Sequence, residues 1–140
     1  MHTLNNTRSS LFLIELIIAI LFFSLGSAVC IQAFVKAHTD STDAQNLSFA
    51  SSTVSSAASV VKYTDGTLDS MQAYFPEAFQ DGGNTIAVCY NRDHTPCAPS
   101  DAAYTLRIET GLQTGVETAH IWIADRLGQT VYELDLRYPV

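Results

Sequence analysis

One stretch, Leu11 to Val35, limits what this chain can become. It reads LFLIELIIAILFFSLGSAVCIQAFV. Its 25 residues include no Lys, Arg, Asp or Pro, and its only strongly polar side chains are Glu15 and Gln32. As a helix it spans roughly 37 Å at ~1.5 Å per residue, enough to cross a hydrocarbon core of ~30 Å with some tilt. A carboxylate at that depth costs about 2.5–3.5 kcal/mol on insertion scales. Glu15 therefore needs either a route to the headgroups or a partner from another chain.

Arg8-Ser9-Ser10 followed by Leu11-Phe12-Leu13-Ile14-Glu15 resembles the processing site of type IV prepilins and type II secretion pseudopilins. In that family a short polar leader ends in a small residue, usually Gly, and is removed by a prepilin peptidase. The apolar residue so exposed is N-methylated, and a Glu occupies the fifth position of the mature chain. The resemblance makes residues 1–10 the leader, Ser10 its last residue, and Leu11 the methylated new N-terminus. It makes Glu15 the docking charge that meets the α-amino group of Leu11 on an adjacent subunit. Ser10 stands where the family has Gly, and Leu11 where it usually has Phe.

Two other targeting patterns fit less well. A secretory signal cleaved after Ala28 would carry Glu15 in the middle of its apolar region. A lipoprotein anchor on Cys30 needs small residues directly before the Cys, and Ser27-Ala28-Val29 does not supply them. Arg8 and Lys36 flank the run, so the positive-inside rule alone barely orients it. The shortness of the segment before Leu11 orients it better: N-terminus cytoplasmic, one pass through the cytoplasmic membrane, and the remainder outside.

About 100 residues then remain for soluble structure, enough for one small domain. Net charge is −7, and the seven Lys and Arg are scattered singly. That removes the basic patch on which nucleic-acid binding depends. Past Lys36 the helical pattern continues, since Leu47, Ala50, Val54, Ala57 and Val61 recur at spacings of three and four. Residues 36–63 are the amphipathic half of one long helix, with a possible bend at His38–Asp43, where Thr, Ser and Asp compete for backbone hydrogen bonds. Phe49 lies off the stripe and is expected to be exposed in a lone monomer, either as an ordinary surface aromatic or as a candidate contact for a neighbouring chain.

Gly66 can take the left-handed cap conformation that ends the helix. Residues 64–83 read as a connecting loop, with about two helical turns before Pro76 and a turn at Asp81-Gly82-Gly83-Asn84. Residues 84–140 read as four strands, because apolar and polar residues alternate around Ile86–Tyr90, Tyr104–Glu109, Ala119–Ile123 and Tyr132–Tyr138. Gly111–Gly115 and Arg126–Gln129 are short enough for hairpin connections. The expected fold class is α+β and pilin-like: one long N-terminal helix packed on a small antiparallel four-stranded sheet.

Few residues suggest chemistry. Cys89 and Cys97 enclose a short loop and are read as a disulfide. The competing reading, a metal site with His94 as third ligand, lacks a fourth ligand at a suitable spacing. His120 is read as merely exposed. Asp65, Asp69, Asp81 and Asp93 are loop acids that form no D-x-D-x-D-G calcium loop. No phosphate loop, nucleotide fingerprint or catalytic carboxylate pair is present, so neither enzyme activity nor a cofactor or metal is expected. The resemblance implies a structural subunit of a pilus or secretion filament. Its partners would be other such subunits, the prepilin peptidase, and membrane lipid before assembly. The alternative is a single-pass, membrane-anchored binding module that does not polymerise.

Overall fold

The computed structural model describes residues 3–113 and 115–139. Helix α1 runs unbroken from Thr3 to Tyr63, and its part from Thr7 onward is long and apolar enough to cross a membrane. Helical hydrogen bonding continues through His38–Asp43, so no frayed turn interrupts it. Thr39 and Thr42 hydroxyls instead donate to the carbonyls of Val35 and His38, four residues back, at 3.0 Å each, which keeps their donors inside the helix. The chain nevertheless divides into two compact units at this place, one ending at Asp43 and the other starting at Ala44. Helix α1 ends where Gly66 takes φ 67, as its position suggested.

In the second unit, the short helix α2 (Leu68–Gln72) follows, started by Thr67, whose hydroxyl accepts from the Ser70 N–H. The sheet then forms in chain order: β1 (Phe79–Gln80), β2 (Thr85–Tyr90), β3 (Tyr104–Gln113), β4 (Val116–Asp125) and β5 (Thr130–Pro139). It is a wholly antiparallel five-stranded meander, β1-β2-β3-β4-β5. The fold is thus α+β with one long helix and an antiparallel sheet, and the expected strand count of four is corrected to five. β1 has only two residues, too few to show an alternation. The connection expected at Gly111–Gly115 is also shorter than expected, because β3 continues through Gly111 to Gln113 and β4 begins at Val116.

The core lies between the small stripe of α1 and one face of the sheet. Ala50, Val54, Ala57 and Val61 are buried there with Ile86, Val88, Leu106, Ile108, Ile121 and Ile123. Small side chains let the sheet approach the helix backbone closely, while the β-branched residues of the strands fill the space between. Leu47, expected on this stripe, remains exposed. Phe49 is a further correction. It is half-buried and stacks on His94, ring centroids 4.1 Å apart and planes 8° from parallel, with its edge toward Tyr90. The loop after β2 brings that imidazole back onto the helix, a contact between residues far apart in sequence.

Candidate functional site

The residues singled out by the sequence fall in three places. The first is the apolar run of α1. Every residue from Leu11 to Val35 is exposed except Ser27, which is partly covered. Phe22, Phe23 and Phe34 each show more than two thirds of their surface. Ser10 and Leu11 lie within the helix, exposed. Glu15 has no hydrogen-bond or ion-pair partner among the described residues. By length and composition this part of α1 is apolar enough to cross a membrane.

The second place is the thiol pair. Cys89 and Cys97 are free thiols, so the expected disulfide is not formed. Their link is made by the backbone: Cys97 N–H donates to the Cys89 carbonyl at 2.9 Å, next to a bridge between Tyr90 and Pro96. The Cys89 sulfur is aimed at the Thr105 hydroxyl, 4.0 Å away on β3. Burial pushes the Cys89 thiol up, against the opposing pull of the Thr105 hydrogen bond and the Arg107 charge. Loss of solvent around Cys97, and then the neighbouring Cys89, push that thiol up as well. Raised thiols are poor nucleophiles and poor metal ligands.

His94 does not join the thiols. Its Nε2 lies 3.1 Å from Asn46 Oδ1 on α1, and its backbone takes φ 62 in a turn where Asn91 Oδ1 accepts from the Asp93 and Thr95 N–H groups. No group of His, Cys, Asp and Glu side chains able to hold a metal occurs among the described residues. Two of the four loop acids, Asp65 and Asp81, have side-chain partners. Hydrogen bonds from the Ser70 hydroxyl and then Thr67 hold the Asp65 carboxyl below its usual range, and Asp81 pairs with Arg107 at 2.8 Å.

The third place is the sheet face turned away from α1, whose polar positions the alternation marks but whose pairings it does not. Register sets Glu109, His120 and Asp135 side by side on β3, β4 and β5. His120 Nδ1 meets Asp135 Oδ1 at 2.6 Å, and the imidazole stacks on Trp122 at 4.6 Å. Fifteen positions separate the histidine from its carboxylate, so only strand pairing could reveal the contact. The hydroxyl of the nearby Thr118 donates to the Gly111 carbonyl at 3.1 Å. Comparison with known protein families, curated proteins and solved structures finds no match to this chain.

Proposed function

We propose that this chain is a structural subunit of an envelope-spanning filament of the type IV pilus or type II secretion kind. Leader removal at Ser10–Leu11 would precede assembly through the N-terminal helix. The observation that carries the reading is the bare apolar surface of Leu11–Val35 with Glu15 unpaired in its first turns. A subunit of this kind waits in the membrane as a single-pass helix and then exchanges lipid for neighbouring helices. That exchange is tolerable because the apolar surface never meets water. Glu15 gains the α-amino group of Leu11 on an adjacent copy, replacing an unpaired charge with an ion pair.

The sheet unit supports the same reading. A small-residue stripe on the second half of α1, covered by an antiparallel sheet, leaves the first half free to bundle. A membrane-anchored binding module that never polymerises is the second reading, favoured by Ser10 in place of the family's Gly. The two part at the Ser10–Leu11 bond. Intact mass and N-terminal sequencing of protein from the native membrane should give a chain that begins at a methylated Leu11. A mass equal to that of the full chain overturns the filament reading in favour of the anchor.

A further inference from the structure

The outer face of the sheet carries a basin, and the opposite end of its last hairpin carries a knob. Along β3, Glu109, Gly111 and Gln113 face outward in succession, and Gly111 stands opposite Thr118 of β4. A depression of about 300 Å³ lies beside this pair, rimmed by Glu109, Gln113, Thr118, His120, Asp135 and Arg137, and the Thr118 hydroxyl closes the space directly over Gly111, 3.1 Å from where a Cβ would stand. The Glu109 carboxylate has no ion-pair partner among the described residues, and Asp135 uses only Oδ1 toward His120.

The knob is the turn between β4 and β5. Asp125 N–H donates to the Gln129 carbonyl at 2.9 Å and Gly128 N–H to the Asp125 carbonyl at 3.0 Å. Asp125 Oδ1 accepts from the Leu127 and Gln129 N–H groups at 2.9 Å each, and Gly128 closes the turn at φ 80. This fully bonded turn holds Leu127 at 83% exposure, more than any other large apolar side chain described. Beside it Arg126 has no ion-pair partner among the described residues. A turn whose backbone is already fixed loses less entropy when a partner covers it.

We propose that the Arg126–Leu127 turn of one copy seats in the Glu109–Gly111–Asp135 basin of the next. Arg126 lies against the two carboxylates and Leu127 rests in the depression between Gln113 and His120. Arg137 on the far rim repels a second guanidinium and so holds Arg126 to the Glu109 side. The turn and the basin are roughly 24 Å apart along β4, seven residues at ~3.4 Å each, so one chain cannot satisfy itself. Two such surfaces pair either reciprocally in a two-fold dimer or head to tail, and head-to-tail contacts that do not close extend into fibres. The inference rests on the filament reading above, in which all subunits share one polarity; that polarity selects the head-to-tail form.

The test uses the full chain with Cys30→Ser and Cys97→Ser, carrying Gln129→Cys beside the turn and Gln113→Cys at the rim, oxidised in the assembled state with Leu127 in place. Head-to-tail docking yields a ladder of dimers, trimers and larger products, and neither single-cysteine variant gives one. Arg126→Glu or Gly111→Gln should lower the ladder about tenfold, and Arg126→Glu combined with Glu109→Arg should restore what Arg126→Glu removes. Phe22→Cys in the apolar run reports helix bundling independently. Bundling without a ladder overturns the docking and leaves the filament reading standing. Loss of both overturns both. A product that stops at the dimer replaces the head-to-tail contact by a two-fold one and overturns the proposal.

Discussion

The two halves of α1 are built from similar stock and meet opposite fates. Val29 and Val54 are both helical valines, yet Val29 is 65% exposed and Val54 fully buried. The difference lies in what covers them. Ala50, Val54, Ala57 and Val61 present a narrow stripe of small residues with serines around it, and this chain supplies the sheet that closes over it. Leu11–Val35 is apolar on every side, so no single layer from the same chain could cover it. A one-sided stripe signals a partner within the fold. An all-round apolar helix signals a solvent other than water, or many neighbours.

The largest effect expected from breaking this contrast is at Glu15. Glu15→Val should insert and be cleaved normally but enter filaments at least about tenfold less than wild type when the two are co-expressed, because the Leu11 ammonium of a neighbour loses its partner in a low-dielectric bundle. Equal incorporation would show that the carboxylate only reaches the headgroups. Next comes the valine pair itself. Val54→Ala should lower the unfolding free energy of the sheet unit by about 2 kcal/mol through the lost contacts and cavity, while Val29→Ala leaves it within about 0.5 kcal/mol. Denaturant titration in detergent measures both, and similar losses at the two sites would mean that the run is covered by this chain after all.

Alkaline pH tests the covered side without a cavity. Burial pushes the Tyr90 hydroxyl up from 10.0 to about 12. Between those values the folded chain keeps a proton that the unfolded chain has lost. Stability is therefore full below about pH 10 and falls as pH rises toward about 12, by about 2–3 kcal/mol in all. Tyr90→Phe should flatten that slope in denaturation curves at pH 8, 10 and 11.5. The thiols should differ by about a factor of ten in alkylation rate without reductant, half-exposed Cys97 ahead of buried Cys89. Resistance of both until a reductant is added would restore the disulfide. The smallest effect is at the outer face, where Asp135→Asn breaks an exposed pair. It should lower stability by about 0.5 kcal/mol while changing the emission of the stacked Trp122.

Much of the architecture was readable from local pattern. Spacings of three and four marked the buried stripe of α1, alternation marked the central parts of β2 to β5, and Gly66 marked the helix end. These signals are local because helix and strand each repeat within a few residues. Where the pattern was too short or interrupted, the reading fell short. β1 has two residues, and Gly111 broke the alternation although β3 continues through it.

The sequence by itself determined the apolar run, its length sufficient to cross a membrane, and the placement of Glu15 within it, since hydropathy depends on composition and length rather than on fold. Tertiary structure alone decided that Phe49 stacks on His94, that His120 meets Asp135, and that Cys89 faces Thr105 instead of bonding to Cys97. Each of those contacts joins residues brought together by strand register or loop path, and neither is encoded in the spacing of the residues along the chain.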